Sequence, residues 1–247
     1  MELLIIGDIH GCLDQLKELT ENIDRTKTRI ILCGDLIDRG PNSIGVINYV
    51  RDNNIECVLG NHELMFIECR DSIKQLAKGK ELTRQFEYEL KGSNWFYNGG
   101  NSVFLQYNGD YKQMLTDLDF LDTFPTFIRT GIYSNEDREI VVSHTMILDY
   151  LDDDCTTDFS TEFLVWNRVQ YPKNPLQKFL NVHGHTPVDY AYPKETAITG
   201  YPIPIACKGH TAINLDTGAP YNTPLRGYLS GMYFPSGEVV QIKTFKE

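Results

Sequence analysis

The chain has 247 residues, of which 23 are Lys or Arg and 34 are Asp or Glu, so its formal net charge is −11. A composition of 41% hydrophobic and 23% charged residues excludes a disordered chain, a collagen-like repeat and a coiled coil. A chain of this length buries a large core without disulfide bridges, which excludes a disulfide-stapled miniprotein. We expect one domain over residues 1–247.

Charge and hydropathy also limit the compartment and the partners. No apolar run approaches the ~20 residues of a membrane span, and no basic region precedes the short apolar stretch at the N-terminus. We therefore expect a cytoplasmic protein without a membrane partner, whose six scattered cysteines are reduced. The negative charge argues against a nucleic-acid polymer as partner. It does not exclude a phosphorylated substrate, because bound divalent cations can reverse the local field.

The first third of the chain alternates short apolar runs with segments of helical periodicity. This strand–loop–helix order implies parallel pairing, which brings the polar ends of the strands to one edge of a sheet. The predicted strands are residues 3–6, 29–33 and 55–59, and the predicted helices are residues 13–23, 44–50 and a third from about Leu64.

The rest of the chain predicts a helical insertion followed by more strands. Residues 72–125 are more polar and are expected to form a helical insertion or cap. The later strands are expected to be mixed or antiparallel and to form a second sheet packed on the first. They are predicted at residues 139–143, 179–182 and 212–215, and in a C-terminal hairpin of residues 226–234 and 239–245.

Residues able to carry chemistry recur where the predicted strands end. A single Asp at a strand end is usually a cap or turn residue, but recurrence at the same topological position favours function. Carboxylate, imidazole and amide oxygen form a ligand set for divalent Mn, Fe or Zn. The clusters are Gly7-Asp8-Ile9-His10-Gly11, Gly34-Asp35-Leu36-Ile37-Asp38-Arg39-Gly40, Gly60-Asn61-His62-Glu63, Ser143-His144-Thr145 and His183-Gly184-His185-Thr186-Pro187.

One spacing points to different chemistry and is rejected. Cys33 and Arg39 match the Cys-x5-Arg spacing of cysteine-dependent phosphatases. Asp35 and Asp38 between them would repel a phosphate dianion and raise the pKa of the thiol. We therefore expect Cys33 to be a buried structural residue.

Together these blocks resemble the calcineurin-like metallophosphoesterases, and within them the phosphoprotein phosphatase branch, especially small bacterial and phage serine/threonine phosphatases. The resemblance implies an α/β (α+β) fold in which a two-sheet mixed β-sandwich is flanked by helices. Weaker similarities to secondary signatures of that branch extend the resemblance over residues 1–233. They are Trp95 with Asn98-Gly99-Gly100, Trp166-Asn167-Arg168 and Ile213-Asn214-Leu215-Asp216-Thr217-Gly218.

The resemblance also implies roles for individual residues. Two divalent ions, expected to be Mn with Fe or Zn as alternatives, would share Asp35 as a bridging ligand. His183 matches no ligand of the family pattern and is expected to be structural or supporting. The implied metal ligands are Asp8, His10, Asp35, Asn61, His144 and His185. The implied catalytic residues are His62, Asp38, Arg39 and Arg168, and the implied substrate-binding residues are Arg39, Asn61 and Arg168.

Fewer residues bear on the substrate. Asp38, which the diadenosine tetraphosphatases of some bacteria can lack, and Glu63 favour phosphoserine or phosphothreonine in proteins. Leu59, where phosphoprotein phosphatases often place Arg, and the segment 183–187 favour the alternative, a symmetrical bis(5'-nucleosyl) tetraphosphate. An inactive phosphate-recognising scaffold is disfavoured because every implied ligand is present.

We therefore expect a phosphomonoesterase in which a hydroxide bridging two metal ions attacks phosphorus in line. The partner would be a phosphorylated protein or a small phosphorylated molecule.

Overall fold

The computed structural model describes residues 1–79, 93–169, 178–191, 205–206, 211–223 and 226–244. Residues 80–92 of the predicted insertion and residue 245 of the predicted hairpin lie outside these ranges. No helix within them is long and apolar enough to cross a bilayer. None of the five cysteines within them forms a disulfide, as expected.

Ten strands and eight α-helices lie in the described ranges. The strands are β1 Glu2–Ile6, β2 Thr28–Leu32, β3 Glu56–Cys57, β4 Phe127–Tyr133, β5 Glu139–Ser143, β6 Phe179–His183, β7 Ile205–Ala206, β8 Ala212–Asn214, β9 Tyr228–Phe234 and β10 Val239–Lys243. The helices are α1 Leu13–Thr20, α2 Ser43–Asp52, α3 Asn61–Glu68, α4 Arg70–Ala77, α5 Asn101–Gln106, α6 Tyr111–Leu121, α7 Thr161–Trp166 and α8 Val188–Ala191. A π-helical turn, Phe96–Gly100, precedes α5, and a 3-10 turn covers Leu148–Tyr150.

The strands form two mixed five-stranded sheets. In the first, of order β10-β9-β1-β2-β3, strands β1, β2 and β3 are parallel. The C-terminal hairpin, predicted to join the second sheet, instead belongs to the first, because β9 pairs antiparallel with β1. In the second, of order β4-β5-β6-β8-β7, strands β5, β6 and β8 are parallel and both edge strands are antiparallel. The predicted fold class is confirmed. One domain over the whole chain stays a prediction.

The apolar runs are continuous because the central strands are buried on both faces. In β1, Leu3 and Ile5 pack between the two sheets, whereas Leu4 and Ile6 pack beneath the helices that cover the first sheet. A strand buried on both faces needs apolar side chains at every position. Helix α7 and the segment after β5 cover the outer face of the second sheet. The carboxyl ends of the parallel strands are therefore the polar edge of an otherwise apolar sandwich.

The main error of the sequence prediction concerns the third strand and helix. Strand β3 has two residues rather than the predicted five, because beyond it the N–H of Leu59 bonds to Pro125 rather than to a strand. Helix α3 begins at Asn61, not near Leu64. The residues predicted to lie in a loop, Asn61 to Glu63, thus form the first helical turn, where the helix fixes their directions.

Candidate metal centre

The predicted site residues lie in turns with strained backbone at the ends of the strands. Five of them have positive φ angles between 45° and 73°. That region is costly for residues with a Cβ, and such strain concentrates at functional sites. The five are His10, Asp35, Asp38, Arg39 and His185.

Two glycines allow these turns to approach one another. A Cβ at residue 60 would lie 2.3 Å from Asp35 Oδ1, and a Cβ at residue 184 would lie 1.9 Å from Asp8 Oδ1. Both distances are below any contact a real Cβ makes, so only glycine fits there. Gly60 and Gly184 therefore let Asp35 and Asp8 approach the neighbouring turns.

Glu63 anchors the turn that carries Asp35. Its Oε2 accepts the backbone N–H groups of Asp35 at 2.9 Å and Gly60 at 3.1 Å. Its Oε1 accepts those of Leu36 at 2.8 Å and Ile37 at 3.3 Å. This buried carboxylate therefore joins the first turn of α3 to the turn after β2, and it holds Asp35 in its strained conformation.

Lone pairs converge on Asp35 from one side. His144 Nδ1 donates to the carbonyl of Cys33 at 2.8 Å, so in neutral His144 the Nε2 atom carries a lone pair. That Nε2 lies 3.3 Å from Asp35 Oδ1 and 2.9 Å from Asn61 Oδ1. His185 Nδ1 lies 2.9 Å from the same Asn61 oxygen and 3.1 Å from His144 Nε2. Four of the implied metal ligands thus face one another, namely Asp35, Asn61, His144 and His185.

Another implied metal ligand, His10, lies on the other side of Asp35. His10 Nδ1 lies 2.8 Å from the carbonyl of Ile37, which leaves Nε2 as an acceptor 3.5 Å from Asp35 Oδ2. Arg39 Nη1 donates to that same Nε2 at 2.6 Å. The arginine therefore engages the atom that would ligate an ion.

Asp8 is placed differently from His10. Both oxygens of its carboxylate accept the backbone N–H of His185 at 3.1 Å. The ligand atoms of His10, Asp35 and His62 lie within 4.8 Å of one another, and Asp8 is outside this group. Asp35, His144 and His185 form the second such group in the described residues. The ligand role of Asp8 therefore stays a prediction.

Asp38 and His62 form the expected pair. His62 Nδ1 lies 2.6 Å from Asp38 Oδ2, and Trp95 Nε1 donates to Asp38 Oδ1 at 2.9 Å. All three side chains are fully buried. His62 Nε2 has no hydrogen-bond partner and lies 3.9 Å from Asp35 Oδ2, so it points to the metal centre.

Burial decides the protonation of these groups. Burial raises the pKa of Asp35 to about 7. It also raises the pKa of Asp8 well above its usual range, and the negative charges of Asp216 and Asp35 raise that pKa further. Burial lowers the pKa of His144 to about 4 and that of His10 well below its usual value. The imidazoles are therefore neutral at pH 7 and present lone pairs rather than positive charge.

This donor set fits divalent ions. The contact between Asp35 Oδ1 and His144 Nε2 joins two acceptors, so only a shared proton or a cation relieves it. His62 and His185 each keep a buried Nε2 atom without a partner. Buried polar atoms without partners are costly, and carboxylate and imidazole are ligands of Mn, Fe and Zn. The arrangement supports a metal site and leaves the identity of the metal open.

The remaining predicted residues lie at the rim or behind the centre. Arg168 and Arg39 are exposed, and Arg168 Nη1 donates to Thr186 Oγ1 at 3.2 Å. His183 ends β6 with its Nδ1 3.1 Å from the carbonyl of Gly184, outside both ligand groups. Cys33 is fully buried and burial raises the pKa of its thiol, as expected of a structural residue.

The sequence analysis gave no site role to three residues that the structure brings to the centre. Glu63 had a usable signal, because an acid three residues after a helix N-cap accepts backbone N–H groups. Asp216 follows β8 just as the predicted ligands follow their strands, and its carboxylate is buried near Asp8. Trp95 belongs to a signature noted in the sequence, but its contact with Asp38 had no local signal because it joins segments 57 residues apart.

Comparison with known proteins agrees with this geometry. The calcineurin-like phosphoesterase family model matches residues 1–213. A symmetrical bis(5'-nucleosyl)-tetraphosphatase of Pseudomonas fluorescens (strain SBW25) is 36% identical over 91 residues, which are 35% of this chain and 32% of that protein. The chain thus matches only about a third of the length of such relatives.

Solved structures share the fold at low sequence identity. A putative diadenosine tetraphosphatase superposes with a TM-score of 0.57 at 18% identity, covering 100% of this chain and 95% of the other. A Saccharomyces cerevisiae protein serine/threonine phosphatase similar to human PP5 gives 0.53 at 12% identity, covering 100% and 81%.

The fold and the buried clusters of candidate metal ligands agree with the family match. The chain belongs to the calcineurin-like phosphoesterase family, whose model spans most of its length. The resemblance seen in the sequence is confirmed at that level, and the substrate is a separate question.

Proposed function

We propose that the chain hydrolyses symmetrical bis(5'-nucleosyl) tetraphosphates with two divalent ions at the metal centre. The observation that carries the hydrolase assignment is the convergence of unshared lone pairs around Asp35. The substrate assignment draws on the relatives of that name, which match about a third of the chain at 36% identity. It reverses the order of preference that Asp38 and Glu63 gave to the sequence analysis.

Asp35, His10, Asn61, His144 and His185 would hold the ions, with Asp8 beside them. When bound, the ions would activate a water molecule and offset the charge of the phosphate oxygens. The histidines suit this role because burial keeps them neutral, and at His10 and His144 the Nδ1 proton is donated to a carbonyl, which leaves the Nε2 lone pair to bind a cation.

Arg39 would bind substrate phosphate. Its guanidinium donates to His10 Nε2 at 2.6 Å, so an ion at that nitrogen would require Arg39 to leave. The released guanidinium is exposed at the rim and offers paired N–H donors for phosphate oxygens. Arg168 donates to Thr186 Oγ1 and would supply a second cationic donor. Loading of the metal and release of a phosphate clamp are thereby one event.

His62 would donate a proton to the leaving oxygen. Only the imidazolium form of His62 can do this, since Asp38 accepts the Nδ1 proton and a second proton, taken up from solvent, would sit on Nε2, the atom that points to the centre.

This pair also supports a second candidate, a phosphoserine or phosphothreonine phosphatase. A serine or threonine alkoxide needs a proton to leave, whereas a nucleoside polyphosphate spreads its charge over its own oxygens. The Asp38–His62 pair would therefore contribute most to the hydrolysis of a phosphate monoester.

The test is product analysis on chelator-stripped protein with and without Mn²⁺. Diadenosine tetraphosphate and a phosphothreonine peptide are incubated side by side and the nucleotides are separated by chromatography. We expect two ADP molecules from each dinucleotide, only with metal. Asp35→Asn should abolish turnover, and the exposed Asp24→Asn should leave it unchanged.

Turnover of the peptide alone would move the assignment to the second candidate. AMP and ATP as products would refute symmetrical cleavage. No metal-dependent turnover of either substrate would refute the hydrolase proposal.

A further inference from the structure

We infer that Trp95 is a positioning residue of the proposed reaction, which fixes the Asp38 carboxylate and thereby aims His62 at the leaving group. The inference rests on the proposed phosphohydrolase activity and deepens it. Trp95 is remote from Asp35 and His10 in the sequence and is held by a different segment, so its role is separate from that of the metal ligands.

The contact uses one donor for each carboxylate oxygen. Trp95 Nε1 donates to Asp38 Oδ1 at 2.9 Å, and His62 Nδ1 lies 2.6 Å from Asp38 Oδ2. With both oxygens engaged, the carboxylate cannot rotate about its Cβ–Cγ bond without losing a hydrogen bond. The imidazole plane of His62 follows from that of the carboxylate, because their contact is short and planar groups bond best within their planes.

The indole is itself held on several sides. Its ring stacks on Phe66 at 4.4 Å with an interplanar angle of 25°, and Phe96 meets it edge-on at 5.4 Å. A Cβ at residue 100 would lie 2.4 Å from the indole, so Gly100 is required for the ring to occupy this place. Trp95 has no exposed surface. Because the indole has so little freedom to move, its N–H holds the Asp38 carboxylate in one orientation.

The same segment also reaches the phosphate clamp. Gly99 has a φ of 111°, and a Cβ there would lie 3.1 Å from the backbone nitrogen of Arg39. The turn at Phe96–Gly100 therefore packs on the backbone of Arg39 while Trp95 holds Asp38. These contacts account for the Trp95 and Gly99-Gly100 signature seen in the sequence, to which the proposed function alone gives no role.

The expected effect depends on the leaving group. Trp95→Phe keeps an aromatic ring and removes the N–H, so it should lower kcat for phenyl phosphate by about 10- to 100-fold, the worth of a hydrogen bond to a charged group. For p-nitrophenyl phosphate, whose leaving group departs without a proton, the loss should stay below about threefold. Phe96→Leu perturbs the same aromatic cluster and keeps the N–H, so its two losses should be equal.

An NMR readout separates this inference from the proposed function. In metal-free protein with ¹⁵N-labelled histidine, the short His62–Asp38 hydrogen bond should give a downfield Nδ1 proton resonance. It should shift or broaden away in Trp95→Phe and persist in Phe96→Leu.

An unchanged resonance in Trp95→Phe would overturn the inference whatever the activity. Equal losses for the two aryl phosphates would overturn it too. A wild-type protein that hydrolyses no phosphate ester, yet shows the resonance and its loss, would refute the function and leave the positioning of His62 by Trp95 intact.

Discussion

Removal of the Glu63 carboxylate should destabilise the metal-free protein more than any surface change in the same helix. Four buried backbone N–H groups end on this carboxylate, two on each oxygen. A buried donor left without a partner costs about 1–3 kcal/mol. Entry of water relieves part of that cost, so Glu63→Ala should lower the free energy of unfolding by about 4 kcal/mol. A protein of this size would then melt about 8–16 °C lower.

Glu63→Gln gives a finer test of the same contact. One glutamine oxygen can keep two of the four N–H groups, while the new NH₂ group faces the other two donors. The loss should therefore be about 2–4 kcal/mol, with no change of packing volume. Burial and the charge of Asp35 raise the pKa of Glu63 to about 7, so the comparison belongs at pH 8, where the carboxylate is ionised.

The assay is urea unfolding of the chelator-treated variants, followed by circular dichroism. Glu68→Ala, an exposed position at the end of α3, is the matched control and should cost less than about 0.5 kcal/mol. A Glu63→Ala protein within about 1 kcal/mol of that control, with the same denaturant slope, would refute the claim that Glu63 anchors the Asp35 turn.

Three further results are expected. Metal binding should release protons and tighten from pH 5 to pH 8, because burial raises the pKa of Asp35 to about 7; calorimetry in buffers of different ionisation enthalpy measures this, and pH-independent binding would contradict it. Arg39→Met should bind Mn²⁺ more tightly in a chelator competition while turnover falls, since His10 Nε2 loses a competing donor; weaker binding would contradict this. Gly184→Ala should weaken metal affinity by about 10- to 100-fold, because its Cβ would displace Asp8, and equal affinity would refute that steric account.

The raised pKa of Asp35 also determines how the free energy of unfolding of the protein without metal depends on pH. The pKa of Asp35 is raised above its unfolded value, so its contribution is present below pH ~4 and is lost as the pH rises through about 7. The metal-induced rise in melting temperature should therefore be larger at pH 8 than at pH 5.

The parts of the site that the sequence predicted are those fixed by strand ends. Asp8, Asp35, His144 and His185 each come within three residues of the end of a parallel strand, and parallel strands of a sheet end at one edge. Register and layer order then bring these residues together without further information. The same logic applies to Asp216 after β8, where the signal was present in the sequence and was not used.

Other features depend on contacts that no local pattern contains. The early start of α3 at Asn61 follows from Glu63 reaching back to Gly60, and the short β3 follows from a hydrogen bond between Leu59 and Pro125. Trp95 meets Asp38 only because a separate segment folds over the turn that carries Arg39. Such contacts are set by tertiary packing, which overrides local propensity.

Backbone strain and unshared lone pairs occur together at this site. Five left-handed residues and the acceptor pair of Asp35 and His144 all raise the energy of the metal-free fold. The anchoring carboxylate of Glu63 and the rigid sandwich hold the arrangement in place, and a cation would relieve the acceptor contact. Variants that loosen the turns should therefore differ most in stability without metal and converge when metal is added, because binding then contributes to folding.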